Sequence, residues 1–277
     1  MFFEMLHHRA ENRTVVLLGV NGGYVKMLEN MVCRLQELGI NNYLVAAFDK
    51  ESYEYCLSNV IPSIIAYNHT LSISSAADFG SKEFRALTKL KSLQVLRILK
   101  AGFNVLWSDV DIFFKKDPIL HLQSLKYDLS IQSNAPVVEW PDSNGYRRIN
   151  SGFYFVRSTP ETVAAFQGIV DHAKFTKLSE QPSFYTVLCG DDMKYVLGRH
   201  GCYNYELNVH THFLDRSEFP NGAIYWRNMT EPLSSKYDTS DSFIVHANWM
   251  KGHDIKVQRL REDGSWILDE QNKCRYK

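Results

Sequence analysis

The chain has 277 residues, 45% of them hydrophobic and 22% charged, enough for a substantial core in one large domain. Its 31 basic residues balance its 31 acidic ones, so no bulk field draws it to nucleic acid or to an acidic membrane surface. No window reaches the apolar length of a membrane span, and the opening stretch, Met1 to Arg9, is too short and polar for a signal peptide.

In chain order the elements alternate between strand and helix. Thr14 to Val20 is a short β-branched apolar run ending in Asn21-Gly22-Gly23, which reads as a strand and a tight turn. Tyr24, Leu28, Met31, Leu35 and Leu38 then recur at helical spacing. Tyr43 to Phe48 is a second strand, Glu51 to Val60 a second helix and Ile64 to Tyr67 a third strand. A long helix over Ser81 to Lys100 stops at Gly102 and feeds the strand Phe103 to Trp107. Repeated units of this kind predict a mainly parallel sheet flanked by helices.

Beyond about residue 118 the pattern loosens into short strands (Leu129 to Gln132, Gly152 to Arg157, Phe243 to His246), one helix near Glu161 to Phe175, and long loops. Without a linker or repeat, the expectation is one domain over 1–277. Residues 14–118 would form its nucleotide-binding half and 119–277 an irregular acceptor-side half. The five cysteines (Cys33, Cys56, Cys189, Cys202, Cys274) are odd in number, scattered and free of any CxxC pair. They read as buried or incidental thiols, not as a metal or redox motif.

Chemistry concentrates where Val105-Leu106-Trp107-Ser108 runs into Asp109-Val110-Asp111. Ligands of α/β sheets collect at the carboxyl ends of strands. Two carboxylates one residue apart there repel unless a positive charge lies between them, and a hard divalent cation takes such oxygens. The plain alternative is a pair of solvated turn acids. Lys91 lies opposite the basic arc of the long helix (Lys82, Arg85, Lys89, Arg97, Lys100), among Phe84, Leu87, Val95 and Ile98. A lysine there either pairs with an anion, a metal-site carboxylate or a donor phosphate, or snorkels to water. In Phe243 to Lys256 a strand delivers His246, a possible third metal ligand, and Gly252 with Lys251 or Lys256 suits a phosphate. Read without context, His246 is more often an ordinary strand histidine than a ligand. Trp140, Trp226 and Trp249 offer rings to a sugar or simply fill core.

The stretch Leu99 to Asp111 resembles the core of the nucleotide-diphospho-sugar transferases of glycosyltransferase family 77. The likeness runs from Asn21-Gly22-Gly23-Tyr24 to Trp266 and includes Asn150-Ser151-Gly152-Phe153, Phe219-Pro220-Asn221-Gly222 and His246-Ala247-Asn248-Trp249. It implies a Rossmann-like GT-A fold and a retaining, metal-dependent transfer of galactose, xylose or arabinose from a nucleotide-sugar, usually a UDP-sugar, to a hydroxyl of a glycan or glycoprotein. Manganese or magnesium would be held by Asp109, Asp111 and His246. Gly252 and Lys256 would bind phosphate, Lys91 would belong to the donor site, and Asn21 with Tyr24 would face the nucleoside. Asn150 and Gln181 would position the sugar. This chain has Glu180-Gln181 where relatives begin with Asp-Gln, which leaves the role of residue 180 open. No strong nucleophile stands out, so front-face attack is favoured over a covalent route through Glu180, Asp191 or Asp192. A non-catalytic reader of nucleotide-sugars or glycans on the same fold is the rival. The family's members are mostly anchored in the Golgi. The missing anchor here points to the cytoplasm, with the Golgi lumen as the alternative for an anchor-less fragment.

Overall fold

Strand β1 (Thr14–Val20) is buried along almost its whole length because both of its faces meet core. Val15 and Leu17 enter one apolar layer, Val16, Leu18 and Val20 the other, as the two-residue period of a strand demands. The protein is described here by a computed structural model covering residues 2–66, 82–134, 149–191, 194–197, 200–230 and 237–275. Trp140 and Asp192 lie outside the described residues, as do Tyr67 and the side chain of Phe84.

Ahead of β1 lies helix α1 (Phe2–Arg9), and behind it a 3-10 turn (Gly22–Tyr24) leads into α2 (Val25–Glu37). Then follow β2 (Tyr43–Ala47), α3 (Lys50–Ser58), β3 (Ser63–Ile65), α4 (Lys82–Lys100), β4 (Asn104–Asp109), β5 (Ile112–Phe114) and α5 (Ile119–Ser124). The second half holds β6 (Leu129–Ser133), β7 (Ile149–Val156), α6 (Pro160–Phe175), α7 (Gln181–Cys189), β8 (Val196–Leu197), β9 (Gly201–Asn204) and β10 (Val209–Phe213). It closes with α8 (Gly222–Thr230), β11 (Ile244–His246) and α9 (His253–Glu262). Sequence periodicity finds β1 to β4 and α2 to α4 to within a few residues but not α1, β5 or α5. It misses α7, α8, α9 and the β8–β10 strip, whose elements are short or carry little apolar period.

Nine strands form one sheet in the order β3-β2-β1-β4-β7-β6-β10-β9-β8. Only β7 and β9 run against the common direction, so the expected mostly parallel sheet is present. In register, Gly19 of β1 lies beside Asp109 of β4, which sets the acid at the carboxyl end of two parallel strands. A Cβ on Gly19 would stand 2.5 Å from the Trp107 indole, so only glycine lets that ring lie across β1. A separate two-stranded ribbon pairs β5 with β11, Ile112 opposite His246, and joins residues 112 and 246 beside the acids.

Two disulfides overturn the reading of the cysteines as incidental thiols. Cys33 of α2 bonds Cys274 near the C-terminus, and Cys189 of α7 bonds Cys202 of β9; Cys56 is a buried free thiol. Such bonds persist in oxidising compartments and are rare in the cytosol. They fit a secretory location, and the expectation of a cytoplasmic protein is corrected accordingly. No helix among the described residues is long and apolar enough to cross a membrane.

Candidate active site

The site begins with two acids held by different elements. Asp109 ends β4, and both its oxygens accept from Lys91 Nζ, at 2.6 and 2.9 Å, while Trp107 Nε1 donates to Oδ1 at 3.1 Å. Lys91 therefore does not snorkel: α4 carries it inward to a carboxylate. Burial alone would lower its pKa, but Asp109 and the nearby Glu180 outweigh burial and raise it. Asp111 sits two residues beyond the end of β4 and is buried. Its Oδ2 accepts from Lys256 Nζ of α9 at 2.6 Å, and its Oδ1 lies 3.5 Å from His246 Nε2. Burial pushes this carboxyl up, yet Lys256 and His246 together hold it well below the ordinary value.

His246 is fixed by a partner that sequence reasoning missed. Gln132 of β6 gives its amide nitrogen to the carbonyls of Phe219 and Pro220, at 3.2 and 2.9 Å, which turns Oε1 toward His246 Nδ1 at 2.6 Å. A neutral imidazole so placed carries its proton on Nδ1 and presents the Nε2 lone pair to the acids. One ligand atom each from Asp109, Asp111 and His246 lies within 4.8 Å of the others. Two carboxylates and an imidazole oriented from behind suit a divalent cation. The nearest sequence hint was a glutamine inside the short strand Leu129–Ser133, which the fold buries throughout. Gly152 of β7 closes the cluster: a Cβ there would stand about 3 Å from Asn150 Oδ1, His246 Cε1 and Asp109 Oδ2.

The remaining predicted residues surround this centre. Asn21, Tyr24, Lys91, Asp109, Asp111 and Lys256 line one cleft, together with Gly19, Phe48 and Leu87. The turn bearing Asn21 is pinned by Asp49, the N-cap of α3, whose Oδ2 accepts from Gly22 N at 2.8 Å; sequence reading had no signal for it. Gly252 caps α9 in the left-handed region (φ 96°), and His253 after it packs edge-on against Tyr24. Asn150 and Gln181 are tied to the backbone of β7: Asn150 Oδ1 accepts from Gly152 N at 2.8 Å and Gln181 Oε1 from Ser151 N at 3.2 Å. Glu180 is buried, accepts from Ser151 Oγ at 2.9 Å, and has its pKa raised by burial against the pull of Lys91. Asp191 is exposed.

Residues 38–260 match the family described as nucleotide-diphospho-sugar transferase. The chain belongs to that family. It is 41% identical over 261 residues to beta-arabinofuranosyltransferase RAY1 of Arabidopsis thaliana, covering 94% of this chain and 48% of that protein. It is 25% identical to the UDP-galactose:fucoside alpha-3-galactosyltransferase of Dictyostelium discoideum, covering 94% of this chain and 44% of the relative. A UDP-D-xylose:L-fucose alpha-1,3-D-xylosyltransferase 1 of Arabidopsis thaliana is 23% identical, with 94% and 72% covered. The chain thus spans less than half the length of the first two relatives. Among solved structures it resembles the glycosyltransferase GlyE of Streptococcus pneumoniae (TM-score 0.54, 10% identity, 94% of this chain and 61% of that one). It also resembles the galactosyltransferase LgtC in complex with donor and acceptor sugar analogs (TM-score 0.51, 9% identity, 92% and 98% covered). At these identities the likeness shows the fold, which is GT-A.

Proposed function

We propose that this chain transfers a sugar from a nucleoside diphosphate donor to a hydroxyl of a glycan or glycoprotein, with retention at the anomeric carbon. One observation carries the reading: Asp109, Asp111 and His246 converge at the carboxyl end of β4, with a lysine already on each acid. A divalent cation, manganese or magnesium, would be held by those three residues and would supply Lewis acidity toward the departing diphosphate. Lys256 and Lys91 add fixed positive charge in a partly dry cleft, where charge on the leaving group is stabilised most. Asn21 and Tyr24 line the stretch of cleft that suits a nucleoside, and Gly252 opens α9 toward its phosphates. Asn150 and Gln181, held on β7, border the side where the sugar would lie.

The names of the relatives support UDP as carrier and leave galactose, xylose and arabinose as candidate sugars. In the retaining step the acceptor oxygen attacks from the face the diphosphate leaves, and a leaving phosphate oxygen takes the acceptor's proton. Asp111→Ala is expected to reduce UDP release from a UDP-sugar with manganese by roughly 1,000-fold, with circular dichroism unchanged. Release at the parental rate would sink the proposal. If UDP and manganese raise the melting temperature but no donor is ever turned over, the chain is a reader of nucleotide-sugars instead.

A further inference from the structure

The segment from Ala247, just after β11, to Lys256 in α9 starts and ends on the same acid. Ala247 N donates to the Asp111 carbonyl at 2.9 Å, and nine residues later Lys256 Nζ reaches the Asp111 carboxylate at 2.6 Å. Between these two ties, Asn248 is pressed onto the start of α8. Its Oδ1 accepts from Gly222 N at 2.5 Å, and a Cβ on Gly222 would stand only 2.1 Å from its carbonyl oxygen. The next residue, Trp249, lies at φ 61°, a left-handed conformation that a bulky side chain rarely takes, and it is 49% exposed. Among the described residues no ring stacks on its indole, whereas Trp107 and Trp266 are buried. Two peptide steps separate it from Ala247, so its Cα lies within about 7 Å of the residue bonded to Asp111.

Strain and exposure at one residue call for a reason, since asparagine or glycine would take this backbone more readily and an apolar ring gains nothing from water. Trp249 does not line the cleft that holds Asn21 and Tyr24. It follows the residue docked on α8, an element of the acceptor-side half, while His253, the first residue of α9, turns to Tyr24. We infer that Trp249 is a stacking platform for the acceptor, receiving the C–H face of a pyranose ring beside the metal cluster. An indole offers a flat apolar face with one N–H at its rim, which matches a sugar ring whose face carries C–H bonds and whose edge carries hydroxyls. The inference rests on the reading of the site as a glycosyltransferase centre.

The test compares the parent with Trp249→Asn and Trp249→Phe, using methyl β-D-galactopyranoside, methyl α-L-fucopyranoside and methyl β-D-xylopyranoside as probes. Binding is followed by saturation-transfer NMR with UDP and magnesium present. At least one glycoside is expected to bind the parent, tenfold or more weakly to Trp249→Asn, and nearly normally to Trp249→Phe. Affinity for UDP with magnesium should stay within twofold in both variants. Because asparagine accepts the left-handed backbone, Trp249→Asn should melt about 2–4 °C higher, whereas a tryptophan kept for packing would give a lower melting point. Equal glycoside binding by parent and Trp249→Asn, binding of none of the three by the parent, or loss of UDP affinity in the variants would overturn the inference. Failure of the parent to bind UDP at all would overturn the transferase reading instead.

Discussion

At the scale of single residues, the two acids tolerate one another because each has its own cation. Lys91 neutralises Asp109 and Lys256 neutralises Asp111, both through bonds of 2.6 Å. Part-buried pairs of this kind are costly to half-dismantle, since the partner left behind is a charge with little solvent. The imidazole depends on Gln132 in the same way. Gln132→Leu leaves the Nδ1 proton of His246 without an acceptor and frees the ring to turn. Manganese affinity in the presence of UDP should then fall about 10–100-fold, read by titration calorimetry. An unchanged affinity would remove Gln132 from the account. The glutamine's role is not visible along the chain, because 114 positions separate Gln132 from His246.

Among elements, the junction of α4, β7 and α7 matters most. Glu180 precedes α7, Ser151 of β7 donates to its carboxylate, and Lys91 of α4 acts on it through charge. Burial raises its pKa above the ordinary 4.5, and Lys91, Thr88 and Ser151 do not fully offset this. A carboxyl whose folded pKa lies above its unfolded one helps the fold while protonated. That contribution is present below pH 4.5 and is lost as pH rises through the folded value. Glu180→Gln should therefore make the metal-free protein more stable at pH 7, with the gain shrinking toward pH 4.5 in urea unfolding. A uniform offset at all pH values would show that the carboxyl is not strained by burial. The chain pattern announced α4 and β4 clearly. It gave no hint of α7, whose nine residues open on Gln181-Pro182 and show weak amphipathic order.

Across the whole molecule, one disulfide ties α2 to the C-terminal segment and the other is local. Cys33 and Cys274 are 241 positions apart, and Cys189 and Cys202 only 13. Breaking either is expected to cost about 2–4 kcal/mol, measurable as a lower urea midpoint after reduction. A thiol titration of the denatured, unreduced protein should find one group, Cys56. Five reactive thiols would remove the argument for an oxidising compartment. The same bonds explain why composition alone misled: an odd count of scattered cysteines without a short-range motif carries no pairing signal until the chain is folded.

By itself the sequence determined the alternation of strand and helix, the parallel half of the sheet and the acids at its edge. Each of these follows from local periodicity or from the rule that strand ends collect ligands. Tertiary structure alone decided that Lys91 meets Asp109, that His246 stands opposite Ile112, that Gly152 leaves space for Asn150, His246 and Asp109, and that Trp249 is half exposed. Those facts depend on strand order and on ribbons joining distant segments. The contacts they create are set by packing across the fold, where spacing along the chain holds no information.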